Sequence, residues 1–335
     1  MTTIEHDCKS NKVHDVVYRS HPCFINHVLG LSNVLLLRIS FYSFQVSSAA
    51  MVLSLVLTLL AAILKPIGPT QQAPFNTQFG FSANLLGHPT LSFSCAICTV
   101  AYLHYYQMAK SRKRAVYDAL RSDQDTVLEN PGVKDSIFTV YVLRTSDWAI
   151  TMPLLAIEML TLAATPAVNG AVFTPDSGSW AYEFCRLDGF LRNPSGGLTD
   201  GSVLIVGLLA SFMILAGSTA TLLTVPILPE WDYYDRRTNV QEYKTYMWSC
   251  GQLVCFVVGC LCLVGIYVIT FGVFSCYESK FTRTVYFFSL VWTLYPLVFF
   301  LRSAGLVNVF LEEILYSLLD ISSKSIFALH LLLLQ

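Results

Sequence analysis

Seven long apolar runs constrain the fold of this 335-residue chain more than any other feature. A helix that crosses a bilayer needs about 20 consecutive, mostly apolar residues. Seven stretches meet this requirement, at about residues 46–66, 86–108, 136–162, 202–226, 247–274, 284–304 and 309–334. Because backbone polar groups in lipid must be paired within the protein, each run is expected to be helical. The sequence therefore predicts an all-α membrane protein, a seven-transmembrane helix bundle.

The composition indicates that lipid rather than water surrounds most of the chain. Hydrophobic residues make up 54% of it and charged residues only 13%, with a mean hydropathy of +0.55. Soluble domains carry about 25% charged residues. Since the net charge is only −1, there is no bulk attraction to nucleic acid. Membrane lipid is expected as a partner, and nucleic acid is not.

The N-terminal part is predicted to differ from the rest. Residues 1–45 are expected to be a partly apolar extension, and residues 46–334 the seven-helix domain. Residues 24–45 are apolar but contain His27 and Arg38, which favours an interfacial or packed segment over an eighth span. The connections after the second and third runs exceed the usual helix–helix loop and can hold short helices of their own.

The ten cysteines are interpreted as packing residues. Cys95-x-x-Cys98 matches half of a zinc or redox motif, but no second pair or histidine cluster completes a site. Free cysteine behaves as a small apolar residue in a protein core. No metal site is expected.

Charged residues interrupt the third and seventh runs. "LRTSDWAITMPLLAIEML" at 143–160 contains Arg144, Asp147 and Glu158, and the seventh run contains Asp320 and Lys324. Each charge costs about 2.5–3.5 kcal/mol at the centre of a membrane helix on insertion scales. These groups are therefore expected to face one another or an internal polar cavity. A purely structural ion-pair cluster is one interpretation; a proton or ion pathway is the usual one.

Lys324 is predicted to be the reactive group of this cluster. It lies too deep in the seventh run to reach the interface easily. A buried lysine amine is a nucleophile toward carbonyl groups and forms Schiff bases. A protonated Schiff base needs a counterion, and both Asp147 and Asp320 could serve, the latter one turn away in the same helix.

Three motifs together resemble the microbial (type 1) rhodopsins. They are "RTSDWAITMPL" at 144–154, "DISSK" at 320–324 and "WTLYPLVFF" at 292–300. The aromatic motif has the spacing of that family's retinal pocket, and the resemblance covers about residues 46–334. It implies a bundle that carries all-trans retinal in its core as a covalent Schiff base.

The resemblance also implies residue roles. Lys324 would bear the retinal, Asp147 would be the primary counterion and proton acceptor, and Asp320 the second counterion. Arg144 would lie beneath them, toward the side where protons are released. The implied pocket has Trp148 and Trp292 on the two faces of the polyene, completed by Met152, Leu155, Met213, Gly217, Tyr295, Pro296 and Phe299. Ordinary helix packing is the alternative for the aromatic residues.

The branch of the family is suggested by the third run. Asp147, Thr151 and Glu158 form the triplet of proteorhodopsin-like pumps, in which Glu158 resembles the cytoplasmic proton donor. The apolar neighbours of Glu158 favour its neutral form. Thr151, one turn from Asp147, is expected to bond to the Asp147 carboxylate. Leu155 lies where leucine suggests green absorption.

The second run adds two expected contacts. "HYYQM" at 104–108 looks like the segment that bears the histidine of proteorhodopsins. It implies a hydrogen bond from His104 to Asp147 and one from Tyr105 to Asp320. A histidine satisfied within the core is the alternative for His104. At the start of the seventh run, "EE" at 312–313 fits either a proton-release group or the common preference for acidic residues at helix N-termini.

A light-driven outward proton pump, and not an enzyme, is the function that the resemblance implies. A light-gated channel and a sensory photoreceptor are the alternatives. The first run, "SSAAMVLSLVLTLLAAILK", has no acidic residue, which argues against a wide cation pore. Sensors usually lack a carboxylic donor where Glu158 stands, so this residue favours a pump.

Loop charges leave the orientation in the membrane open. The connections after the second and fourth runs contain nine Lys and Arg residues, Arg112 among them, against five in those after the first, third and fifth. The positive-inside rule places the former in the cytoplasm, whereas family topology places them outside. The protein is expected to be a multi-pass homo-oligomer in the plasma membrane or an internal membrane.

Overall fold

Each predicted run forms a helix in the computed structural model, which describes residues 32–64, 89–120, 130–163, 200–224, 250–275, 282–303 and 306–334. The last run is α-helical at both ends with a π-helical turn, Ile321–Ile326, between them; we call Val309–Leu334 the seventh run. The helices are α1 (Asn33–Leu64), α2 (Pro89–Ala119), α3 (Pro131–Ala163), α4 (Asp200–Thr224), α5 (Cys250–Ser275), α6 (Thr282–Ser303), α7 (Val309–Asp320) and α8 (Phe327–Leu334). The described residues contain no strand. The predicted all-α, seven-helix fold is therefore confirmed.

The helices form a closed ring. Neighbours in sequence pack together from α1 to α5, α6 packs against α7, and α7 returns to α1. α3 also contacts α5 and α6, so it reaches across the bundle. The largest apolar cluster joins α2, α3, α4, α5, α6 and the seventh run through residues such as Ile97, Leu155 and Trp292. This arrangement encloses the charged face of α3.

The outer surface is apolar. Leu204, Leu215 and Leu261 are each more than 60% exposed, as expected for side chains that face lipid. Five helices are long and apolar enough to cross a membrane: α1, α4, α5, α6 and the seventh run. α2 and α3 fall outside this group because polar residues occupy their central turns.

Two helices differ from their predicted bounds. α1 begins at Asn33 rather than at residue 46, so the boundary placed at residue 45 falls inside a continuous helix, and no separate pre-helix exists over residues 33–45. Arg38 did not interrupt it because its side chain lies on the exposed face. α2 runs on to Ala119, beyond the predicted end at 108. Residues 24–31 lie outside the described residues.

Local capping fixes the start of the seventh run. The Asn308 side chain accepts a hydrogen bond from the Leu311 amide at 2.8 Å, which satisfies one of the free donors at the helix start. The acidic Glu312 in the first turn is favourable next to the positive end of the helix dipole. Further along, the wider π-helical turn contains Lys324.

Candidate functional site

Lys324 lies between two carboxylates at the centre of the bundle. Its Nζ donates to Asp147 Oδ2 at 2.5 Å and to Asp320 Oδ2 at 3.3 Å. Lys324 is 1% exposed, and both aspartates are fully buried. Three of the five charges predicted to face one another therefore do so, and α3 and the seventh run are joined at this point.

The two carboxylates have different surroundings. Asp320 accepts hydrogen bonds from the Tyr105 hydroxyl at 2.7 Å, the Tyr295 hydroxyl at 2.5 Å and the Trp148 indole at 3.2 Å. Asp147 is bonded through Oδ2 to Lys324, and its Oδ1 has no hydrogen-bond partner among the described residues. Both oxygens of Asp320 are hydrogen-bonded, whereas Asp147 keeps one oxygen available. The predicted bond between Tyr105 and Asp320 is present.

Two predicted contacts of Asp147 are not formed. The Thr151 hydroxyl donates to the Asp147 backbone carbonyl at 2.9 Å and not to the carboxylate. His104 Nδ1 lies 2.8 Å from the Val100 carbonyl oxygen, one turn back in α2, and not at Asp147. The Nδ1 atom of His104 is thereby held toward its own helix, and Asp147 Oδ1 is left without the predicted bond.

Arg144 is buried below the carboxylates without a polar partner. All three of its guanidinium nitrogens lack a hydrogen-bond partner within the described ranges. The guanidinium lies over the ring of Tyr316 at 5.1 Å and that of Phe44 at 6.0 Å. Cation–π attraction partly compensates its burial. Arg144 therefore makes no direct ion pair with Asp147 or Asp320.

Glu158 is fully buried on α3, on the same face as Asp147. The separation of eleven residues corresponds to about 16 Å along the helix. Its Oε1 accepts a hydrogen bond from the Ser94 hydroxyl of α2 at 2.7 Å, and its Oε2 has no partner in the described part of the chain. No cation pairs with it there, which suits a carboxyl group that holds a proton.

A second polar cluster lies at the other end, where the seventh run begins. Glu313 forms a short ion pair with Arg112 and accepts a hydrogen bond from Ser40 at 2.6 Å. Its neighbour Glu312 accepts a short hydrogen bond from the Tyr141 hydroxyl and lies 3.5 Å from Arg302 Nε. Both glutamates are buried, so the preference for acidic residues at helix N-termini does not by itself explain their position. Placing Arg112 among the loop charges was wrong, because its side chain is fully buried in α2.

The predicted retinal-pocket residues lie in and around one apolar core. Met152, Leu155, Trp292 and Tyr295 belong to the largest cluster, and Trp148 and Met213 pack against it. The Trp148 ring meets those of Tyr295 and Tyr316 edge-on, with centroids 5.4 and 5.0 Å apart. Of the remaining members, Phe299 is buried and stacked on Phe256. Pro296 lies inside α6, and Gly217 lies on α4.

These residues fit a covalently bound polyene. Lys324 alone among the lysines of the described ranges is buried, and two carboxylates balance the positive charge at its nitrogen. The Trp292 indole nitrogen, also buried, has no partner in the described part of the chain. A Cβ built on Gly217 would meet no atom within 4 Å. The core is therefore aromatic, Lys324 is the one lysine of the described ranges that is buried in it, and the space next to Gly217 on α4 is open.

Several residues of the site were not anticipated from the sequence, among them Ser94, Arg112 and Tyr316. Ser94 and Arg112 share the face of α2 that carries Tyr105, three turns before it and two turns after it. Tyr316 lies about one turn before Asp320 in the seventh run. This helical spacing from two recognised residues was the signal that could have revealed them. The described residues contain no cluster of potential metal ligands.

Comparisons with known proteins agree with this geometry. The sequence model of the bacteriorhodopsin-like protein family matches residues 88–335. No curated protein sequence matches significantly. Similar folds occur in three solved structures that share only 15–16% sequence identity with the chain.

The first is the light-driven proton pump Coccomyxa subellipsoidea rhodopsin (16% identity, TM-score 0.51, 88% of this chain and 96% of that one). The second is xanthorhodopsin, a light-driven ion pump with dual chromophore (15% identity, TM-score 0.56, 89% of this chain and 92% of that one). The third is Exiguobacterium sibiricum rhodopsin (15% identity, TM-score 0.51, 88% of this chain and 95% of that one). Members of the matched family bind retinal covalently through a lysine Schiff base and are integral membrane proteins. The chain therefore belongs to the bacteriorhodopsin-like family, the microbial rhodopsins.

Proposed function

We propose that this protein is a light-driven outward proton pump in which Lys324 binds retinal. The observation that carries the proposal is the position of Lys324 Nζ, against Asp147 Oδ2 in a buried site, with a second buried carboxyl, Glu158, on the same face of α3. An amine between an acceptor and a donor carboxyl is what stepwise proton transfer requires.

The site would hold retinal at Lys324, with Trp148, Trp292, Met152 and Leu155 around the chain. When bound, retinal supplies a light-driven change in the orientation and proton affinity of the nitrogen it shares with Lys324. The surrounding side chains exclude water, which strengthens the electrostatic interactions of the two aspartates with that nitrogen.

Asp147 is the proposed proton acceptor. One of its oxygens already lies against the Lys324 nitrogen, and the other has no partner among the described residues that would oppose protonation. Asp320 accepts hydrogen bonds from three donors besides Lys324 and is the proposed second counterion when Asp147 becomes neutral. The asymmetry between the carboxylates thus assigns the proton to Asp147.

Glu158 is the proposed donor that returns a proton to the Lys324 nitrogen. It holds its proton in an apolar region, with Ser94 as the single side-chain partner seen in the described residues. The path from Glu158 to Lys324 to Asp147 then continues toward Arg144 and the glutamates at the start of the seventh run. Protons therefore move from the Glu158 end to the Glu312 end.

The outward direction rests on family topology, with the Glu158 end in the cytoplasm. Burial of Arg112 removes one cation from the loops that oppose this orientation. Homo-oligomer formation and the choice between plasma and internal membrane remain predictions.

The experiment is to express the chain in cells with all-trans retinal and record external pH under green light, with and without a protonophore. Light-driven acidification that the protonophore abolishes is expected. Alkalinisation abolished in the same way would reverse the assigned direction. A coloured pigment with no pH change would contradict pumping, and patch-clamp currents would then separate a channel from a sensor.

A further inference from the structure

A groove of about 790 Å³ runs along the outer face of α1 and α2, away from the retinal site. Its α1 wall extends from Phe41 to Val56, and its α2 wall from Tyr102 to Lys113. The lining residues of each helix recur at spacings of three and four, so each wall is a single helical face.

The two ends of the groove differ in chemistry. Apolar residues such as Val52, Leu53 and Val56 line one end, and Lys110 and Lys113 lie at the other. Both lysines are exposed, and neither forms an ion pair with a described residue. The groove therefore has an apolar trough and a cationic end that no described acidic residue neutralises.

The register of α1 and α2 places the cationic end at one level in the membrane. Ser40 of α1 and Arg112 of α2 both bond to Glu313, which aligns the Phe41 end of α1 with the Lys110–Lys113 turn of α2. From Phe41 to Val56 the groove is about 22 Å long at 1.5 Å per residue. One leaflet of hydrocarbon is about 15 Å thick, half of a core of roughly 30 Å. The groove is thus longer than the hydrocarbon of one leaflet, which is long enough to hold an acyl chain and the headgroup attached to it.

We propose that this groove binds one anionic glycerophospholipid. An acyl chain lies along Val52 and Val56, and the phosphate lies between Lys110 and Lys113, where basic residues at the membrane surface attract anionic headgroups. Gln45, exposed in the same groove, can donate a hydrogen bond to an ester oxygen.

Charge favours a lipid over a two-fold contact with a second copy of the chain as the occupant. A symmetric contact through this face would bring the same residues of both copies to the same membrane level. Lys110 and Lys113 would then oppose their own counterparts, and like charges at short distance repel. An anionic lipid neutralises them instead.

The test uses the full-length pigment in nanodiscs with equal amounts of phosphatidylglycerol and phosphatidylcholine, followed by native mass spectrometry of the lipids that remain bound in detergent. Wild type is expected to retain one phosphatidylglycerol in preference to phosphatidylcholine. Lys110→Gln and Lys113→Gln should each weaken that preference about fivefold, the effect of one cation near the surface. Arg283→Gln, an exposed cation on α6, should leave it unchanged.

A second pair of variants tests the trough without altering charge. Ala49→Trp places a large ring in the groove and should abolish the retained lipid, whereas Leu208→Trp, on the exposed face of α4, should not. Equal retention of both lipids by wild type, or undiminished phosphatidylglycerol in the double lysine variant, would overturn the proposal. A lipid-free dimer disrupted by Ala49→Trp would also overturn it and assign the groove to a second copy.

Discussion

Asp147 meets the Lys324 ammonium at 2.5 Å through one carboxylate oxygen, and its other oxygen has no hydrogen-bond partner among the described residues. The contact joins α3 to the π-helical turn of the seventh run. Asp320, only one turn from Lys324 in sequence, lies farther away at 3.3 Å and is held by three donors. Proximity across the bundle, rather than along the helix, is therefore the basis for proposing Asp147 as the acceptor.

Replacing Asp147 by Asn should abolish net proton transfer. The amide keeps the shape of the side chain but cannot accept a proton from the Lys324 nitrogen, and loss of a positioned acid or base costs about 100-fold or more in rate. Light-driven pH change in proteoliposomes is the measurement. Asp135→Asn, an exposed carboxylate on α3, is the matched control and should pump normally. Normal pumping by Asp147→Asn would remove this residue from the proton path.

Lys324→Ala should produce a colourless protein. Since Lys324 is the one lysine that is buried in the described ranges, no other amine there lies in the apolar core to bind retinal. Visible absorbance after addition of all-trans retinal to purified protein measures this. Lys134→Ala, near the start of α3, should retain full colour. A coloured Lys324→Ala variant would mean that another amine carries the chromophore.

Glu158→Gln should slow return of the proton to the Lys324 nitrogen by about 100-fold or more, because the amide has no proton to give at this site. Flash photolysis records this step. Ser94→Ala should change it by a smaller factor, since it removes one hydrogen bond of about 1 kcal/mol from Glu158 and leaves the carboxyl in place. Equal recovery rates in wild type and Glu158→Gln would show that the proton arrives from elsewhere.

Arg112→Met should destabilise the bundle, because it leaves the Glu313 charge buried without its ion-pair partner. Breaking one side of a buried ion pair costs about 3–5 kcal/mol. Denaturation followed by loss of helical circular dichroism measures the change. Arg114→Met, exposed on the same helix, should shift stability by only about 0.5 kcal/mol.

The double variant Arg112→Met/Glu313→Met provides the decisive comparison for this ion pair. Replacing both partners by apolar side chains removes the unpaired charge, so most of the lost stability should return. If the double variant is as unstable as the sum of both single changes, then Arg112 and Glu313 stabilise the bundle separately.

The sequence predicted the helices well where lipid dictates their composition, and less well where it does not. Hydropathy detected the central turns of every span. It missed the extension of α2 to Ala119, because a helix that continues past the membrane into water no longer needs apolar residues. It missed the first turns of α1 because the exposed Arg38 lowered the local hydropathy without leaving the helix.

The site residues also divide into those that the sequence predicted and those whose contacts it did not. Lys324, Asp147 and Asp320 were predictable because charges in apolar helices must pair. The contacts of His104 and Thr151 were not, since each side chain instead bonds to a backbone carbonyl one turn earlier in its own helix. Arg112 appeared to be a loop residue because the sequence alone does not show that α2 continues and buries it against Glu313.

The central claim is that light moves a proton to Asp147 and that Glu158 replaces it. Time-resolved infrared difference spectroscopy of the carboxyl C=O stretch follows both groups directly, in wild type, Asp147→Asn and Glu158→Gln. We expect a protonated-carboxyl band that rises early and disappears in Asp147→Asn, followed by a depletion band that disappears in Glu158→Gln. Two bands that persist unchanged in both variants would contradict it.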